Sequence, residues 1–276
     1  MEADKDLQYW IDLWESNGYK DQNQQEFWGN RADFFNEKVF RGEKTGSNIV
    51  DLLREKEMLS KEMNVLDIGC GPGKQTLPMA KEVGSITALD ISKNMLDYLK
   101  ENMKTTNTLN ITPLNLDWKD VNLKEMKWEN KYDLVFASMT PGVFNYETLE
   151  KMLIASKKYC YLSSFVKRQD LLGDEIRKYI YKKYQVPFKK HNKIYYVFNI
   201  LWQLGYTPEV QYLNRNWEDE MSIDEAFDLY KDKIASSVTL TDQDQEKIKD
   251  VLRKDSQNGK IIEKTKVTQG IFTWEA

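Results

Sequence analysis

The chain has 276 residues, of which 41% are hydrophobic and 30% charged, enough apolar content for one large domain or one domain with an elaborated cap. No apolar run is long enough to span a bilayer, and the start, MEADKDLQYW, lacks the basic-then-apolar layout of a secretory signal, so the expected location is the cytoplasm. The net charge is −4, and two cysteines with a single histidine, His191, make no recognisable zinc cluster.

Residues 1–60 read as helical. Leu7, Trp10, Ile11 and Trp14 repeat at i, i+3, i+4, i+7, and Trp28, Ala32, Phe35 and Val39 repeat at i, i+4, i+7, i+11. Tyr9, Trp10, Trp14, Tyr19, Phe27, Trp28, Phe34, Phe35 and Phe40 make this the most aromatic part of the chain, and such a stripe is usually core. A third helical segment, Ile49 to Leu59, is expected against the sheet edge.

Val65 to Gly73, VLDIGCGPG, then reads as a buried strand running into a glycine-rich turn. Val65, Leu66 and Ile68 suit a strand covered on both faces. Gly69, Gly71 and Gly73 let the backbone turn tightly and lie close to a ligand, and Lys74 to Ala80 is expected to open a helix toward it. A dinucleotide fingerprint needs GxGxxG, but the third residue after Gly71 is Lys74, which argues against a dehydrogenase. A second buried strand, Ser85 to Leu89, ends at Asp90, 23 residues after Asp67, about the spacing at which an acidic residue holds a ribose in doubly wound sheets. Ser92 is set as the N-cap of a helix with Met95, Leu96, Leu99 and Met103 inward.

Ile111 to Leu116 is a short apolar run ending at Asp117 and Trp118, and Tyr132 to Ala137 is a fourth strand leading into Ser138, Met139, Thr140, Pro141 and Gly142. A helix over Tyr146 to Lys157 and a strand over Tyr159 to Phe165 follow. Gln169 to Tyr184 is expected as an extra helix, Lys189 to Lys193 as a basic loop and Tyr195 to Leu204 as a helix closed by Gly205. Residues 157–193 hold eleven Lys/Arg against three Asp/Glu, so the rest of the chain carries −12. Such a run is more often a solvated helix face than a site. A sixth strand begins at Val210 to Leu213. Ser222 with Glu225 forms a capping box for a helix to Ile234, Asp242 to Lys254 is a polar helix, Asn258 and Gly259 turn, and Ile261 to Trp274 is the last strand.

The succession of glycine turn, Asp90, Asp117 and a polar, proline-containing loop, from about Asn64 to Phe144, resembles class I S-adenosylmethionine (SAM) dependent methyltransferases. The resemblance implies an α/β fold, a doubly wound, mostly parallel seven-stranded sheet of order 3-2-1-4-5-7-6 with a helical N-terminal lid and helical insertions. It also separates Cys70 from Cys160 by two strand positions, too far for a disulfide. The implied organisation is a lid over residues 1–60 and a SAM-binding domain over 61–276, with insertions at about 166–193 and 218–258. The implied cofactor-binding residues are Asp67, Gly69, Cys70, Gly71, Gly73, Asp90, Ile91, Met95, Asp117, Trp118 and Ser138. Among these, Asp67 would anchor the loop near the amino-acid end of the cofactor, Asp90 the ribose and Asp117 the adenine amino group, with Trp118 beside the base.

FWGNRADFFNE, Phe27 to Glu37, is similar to the segment that closes over cofactor and substrate in many small-molecule methyltransferases, which makes Trp28, Arg31, Phe35 and Thr140 candidates for lid and substrate contacts. Ser138 to Gly142 matches the (D/N)PPY loop of amino-group methyltransferases in position and in Pro141, but lacks its Asp/Asn and aromatic residue. The implied activity is methyl transfer from SAM to a small-molecule acceptor, giving S-adenosylhomocysteine, with no metal. Too few cysteines are present for arsenite methylation. Two alternatives stay open: an RNA or protein methyltransferase using the basic segment, and a module that binds the cofactor without transferring the methyl. The sequence shows no general base, and a lone histidine in a lysine-rich loop reads as surface.

Overall fold

The computed structural model describes residues 2–17, 24–40, 47–186, 193–235 and 238–276. The chain forms two compact units, one of Met1–Ser164, Lys193–Gln211 and Gly270–Ala276, the other of Phe165–Asn192 and Tyr212–Gln269. Tyr19 and the expected basic loop at Lys189 and His191 lie outside the described residues, as do the side chains of Val39 and Phe40.

In the first unit, β1 (Asn64–Ile68) lies between β2 (Ser85–Asp90) and β4 (Tyr132–Ser138), parallel to both, with Val65 opposite Ile86 and Leu134. β3 (Ile111–Asn115) pairs with β2, and β5 (Ser156–Asp170) pairs with β4, again in parallel. With β6 (Glu209–Ser222) and β7 (Lys260–Glu275) the hydrogen-bonded order is β3-β2-β1-β4-β5-β7-β6, as the resemblance implied. Val65, Leu66 and Ile68 are buried because both faces of the central strand are covered.

One core cluster joins Leu66, Ile68, Val135 and Phe272 of the sheet to Ile11 and Trp14 of α1 (Glu2–Asn17) and to Val197 and Ile200 of α10 (Lys193–Gln203). Trp10 meets Tyr195 edge-on at 5.2 Å. The first aromatic stripe is therefore core. The second does not ride on one helix: α2 (Gln24–Gly29) ends in a turn, α3 (Ala32–Phe34) is a single turn, and Phe35–Phe40 is a π-helix. Gly29 and Asn30 supply poor helix formers at the break. The third segment is α4 (Ser47–Glu55), which meets α5 (Thr76–Ala80).

The remaining first-unit helices are α6 (Lys93–Thr105), capped by Ser92 as expected, α7 (Leu123–Met126) and α8 (Tyr146–Ala155). Two boundaries shift. α8 stops at Ala155, so that β5 starts at Ser156 and runs on through Asp170, and the helix after the glycine turn starts at Thr76 instead of Lys74, leaving only five residues.

In the second unit, α9 (Leu171–Tyr184), α11 (Ile223–Ala235) and α12 (Asp242–Asp255) share a core of Leu172, Ile176, Ile180, Phe227, Tyr230, Ile248 and Leu252. β6 extends through Ser222, past the expected insertion start at 218. Asn214 meets Thr268, Glu218 meets Lys264 and Glu220 meets Lys260, so β6 and β7 run antiparallel. Residues 260–267 of β7 alternate exposed and buried, the mark of one covered face, whereas 269–274 are buried continuously. Among the described residues no helix is long and apolar enough to cross a membrane.

Candidate cofactor site

The glycine turn follows directly from the end of β1. Gly69 N and Cys70 N donate to Leu89 O at 2.8 and 2.9 Å, which swings the chain across the end of β2. Gly69, Gly71 and Gly73 have φ of +74°, +55° and +98°, the left-handed region that excludes most side chains. A Cβ on Gly69 would lie 2.1 Å from Thr140 Oγ1, and one on Gly73 would lie 2.6 Å from Leu99 Cδ1, whereas one on Gly71 would meet nothing within 4 Å. Two glycines are thus packed shut and the middle one faces open space. Gln75 Oε1, just beyond the turn, is a buried acceptor with no partner among the described residues.

Two buried carboxylates frame the turn. Asp67 accepts from Thr76 Oγ1 at 2.6 Å, and burial pushes its carboxyl up to about 7 despite that bond, with Asp90 adding to the rise. Asp90 accepts from Gly71 N at 2.9 Å and Ser92 N at 2.8 Å, and burial raises it to about 6. It is 8% exposed. Asn115 fixes this corner by donating to Asp90 O and Ile91 O, both at 2.9 Å. Met95 is buried in the first turn of α6, and Ile91 is half-buried.

The other expected residues are placed as follows. Asp117 caps the short 3-10 turn Trp118–Asp120 and pairs with Lys119 at 3.0 Å. Trp118 is buried in the core and donates from its indole to Thr148 O at 3.0 Å. Ser138 ends β4, its hydroxyl 3.2 Å from Ser163 Oγ. Thr140 packs on Gly69 and accepts from Gly142 N at 3.0 Å. Cys70 and Cys160 are free and buried, and burial raises both thiols, Cys160 to about 12, so neither is a nucleophile.

Trp28, Arg31 and Phe35 are half-buried; Trp28 meets Phe35 edge-on at 5.4 Å, and Arg31 stacks over Phe27 at 4.2 Å. Their segment is fastened to α6: Asn94 donates to Gly29 O at 3.2 Å, Tyr98 to Asp33 at 2.7 Å and Asn102 to Asn36 at 3.0 Å. Thr76, Asn102, Asn115 and Lys193 escape a reading of the sequence, because polar side chains at helix or strand ends have no local signal beyond their type. Lys193 donates to Thr140 O at 3.3 Å.

Arg168, Arg177 and Lys183 of the basic segment are held at two buried carboxylates. Asp170 is buried with Arg168 at 2.9 Å, Lys233 at 3.5 Å and Arg177 at 3.7 Å, and although burial acts to raise its carboxyl, these cations hold it below the usual range. Lys183 pairs with Asp244 at 2.6 Å. Among the described residues no three His, Cys, Asp or Glu side chains converge on a metal position.

Residues 65–159 match the family model described as a methyltransferase domain. An uncharacterized protein of Haemophilus influenzae is 33% identical over 110 residues, 39% of each chain. The ribosomal RNA small subunit methyltransferase A of Wigglesworthia glossinidia brevipalpis is 35% identical over 91 residues, 30% of this chain and 33% of that one. The alignments span 39% or less of the curated relatives' own length. Among solved structures, the Haemonchus contortus phosphoethanolamine N-methyltransferase 2, crystallised with phosphomonomethylethanolamine and S-adenosylhomocysteine, superposes with a TM-score of 0.52 at 14% identity, over 92% of this chain and 58% of that one.

Proposed function

We infer, from the membership of residues 65–159 in the methyltransferase-domain family, that the chain is a SAM-dependent methyltransferase acting on a small-molecule acceptor. The observation that carries the cofactor assignment is the pairing of an open Gly71 with Asp90, whose carboxylate already collects Gly71 N and Ser92 N at the strand ends. The residues present fit the group: the open side of Gly71 accommodates a ligand against the backbone, Asp90 accepts from ribose hydroxyls, and Gln75 Oε1 is an acceptor awaiting a donor. SAM, when bound, supplies a methyl group activated by its sulfonium. The protein holds the acceptor in line and dry, and such positioning is worth about 7 to 11 kcal/mol of barrier. An aromatic face from Trp28 or Phe35 near a cation adds roughly 0.5 to 2 kcal/mol.

A small acceptor is favoured over RNA because the chain outside residues 157–193 carries −12, which opposes a general attraction to an RNA backbone. The RNA reading keeps the support of its ribosomal RNA methyltransferase relatives. Calorimetric titration with SAM, S-adenosylhomocysteine and NADH tests the cofactor, with micromolar binding of the first two and none of the third expected. Asp90→Ala should weaken SAM by about 1 to 3 kcal/mol; unchanged affinity would remove Asp90 from the ribose. Salt-sensitive binding of an RNA fragment at submicromolar affinity would overturn the small-molecule acceptor.

A further inference from the structure

Methyl transfer to an oxygen or nitrogen that bears hydrogen releases a proton, and the glycine turn and its carboxylates leave that proton without a destination. Resting on the methyltransferase reading, we propose that Lys193 is the catalytic base, a neutral amine that takes the proton of an O–H or N–H acceptor as the methyl arrives. As the methyl–sulfur bond breaks with its electron pair left on sulfur, the acceptor's lone pair forms the new bond to carbon. The acceptor's proton passes to Lys193 Nζ, which becomes an ammonium and later yields it to solvent.

Position comes first. Lys193 Nζ donates to Thr140 O at 3.3 Å, and the Thr140 side chain lies directly on the Cα face of Gly69. α10, the loop after β4 and the glycine turn are therefore joined in one line at the carboxyl ends of the strands, where ligands of this fold bind.

The surroundings favour the neutral form. Lys193 is half-buried, and that burial is what lowers its ammonium, to about 7. Met139 to Asn145 contain no ionisable side chain, and Asp6, Asp12 and Glu15 of α1 are exposed to solvent. Among the described residues no carboxylate offsets the burial. A sulfonium brought to the same strand ends is a second positive charge, and like charges disfavour the ammonium further. A base is most effective when its pKa lies near the working pH.

The test reads the amine directly and needs no acceptor. Lysine labelled with 13C and 15N is incorporated, the Nζ resonance of Lys193 is assigned by its loss in Lys193→Met, and it is titrated with S-adenosylhomocysteine or SAM bound. These ligands differ by one methyl and one positive charge. A midpoint near 7 with the former is expected, lower by about half a unit or more with SAM. A midpoint above about 9, or the same midpoint with both, overturns the proposal. If calorimetry detects binding of neither compound, the methyltransferase reading itself fails.

A second arm measures transfer of radiolabelled methyl from SAM to a panel of phenols, alcohols and amines. Lys193→Met should keep S-adenosylhomocysteine affinity within about three-fold while transfer falls about 100-fold or more. Lys193→Arg, a cation that cannot give up its proton, should not restore it. Full transfer by Lys193→Arg would make Lys193 a holder of anionic substrate groups and overturn its role as base.

Discussion

Asn36 and Asn102, 66 residues apart, are both buried and joined by a 3.0 Å hydrogen bond, and the second amide hydrogen of Asn102 goes to Pro72 O inside the glycine turn, also at 3.0 Å. One side chain on α6 thus ties the aromatic N-terminal segment to the glycine turn. Asn102→Ala leaves Asn36 Oδ1 and Pro72 O without their donor, at a cost of about 1 to 3 kcal/mol. The expected result is a lower melting temperature with faster amide hydrogen exchange over residues 24–40. Unchanged exchange there would mean that the segment is held by its other bonds to α6.

The glycines separate folding from binding. Gly69→Ala would drive a Cβ to 2.1 Å from Thr140 Oγ1 at φ +74°, and should destabilise strongly or fail to fold. Gly71→Ala meets no protein atom within 4 Å, so thermal unfolding should record only the cost of φ +55°, about 1 to 2 kcal/mol. Its affinity for S-adenosylhomocysteine should nevertheless drop at least ten-fold in calorimetry. Full affinity would place the ligand on another side of the turn.

Burial of Asp67 makes stability depend on pH. Its carboxyl titrates near 7 in the folded chain against about 4 unfolded, so the folded state binds the proton more tightly. That contribution is complete below pH 4 and is lost as pH rises toward 7, on the order of 4 kcal/mol across the window. Asp67→Asn should flatten the fall in urea-unfolding free energy between pH 4.5 and 7.5, and a variant with the wild-type slope would contradict the shift.

Trp28 is half-buried, anchored by its indole to Gln24 at 2.9 Å and by its ring to Phe35. If the segment covers bound cofactor, Trp28→Ala should lower turnover more than ten-fold while the melting temperature shifts by a few degrees. A loss of stability comparable to truncating a core aromatic, about 3 to 5 kcal/mol, would instead make Trp28 a packing residue.

The sequence by itself determined the strands and the glycine turn after β1. Apolar runs such as Val65 to Ile68 and Ser85 to Leu89 are set by burial on both faces, and the three glycines are set by positive φ, both of which leave a mark in residue type. Asp90 was legible for the same local reason, since it ends a strand two residues before a helix cap. Tertiary structure alone decided which polar side chains meet. Nothing in the spacing couples Thr76 to Asp67, Asn102 to Pro72 or Lys193 to Thr140, because each partner comes from a different element and is chosen by packing. It also broke the helical stripe from Trp28 to Phe35 into short turns, where bonds to α6 outweigh the local periodicity. The charge of the basic segment was countable in sequence, but the pairing of Arg168 and Arg177 with Asp170 and of Lys183 with Asp244 was not, because packing chooses those partners.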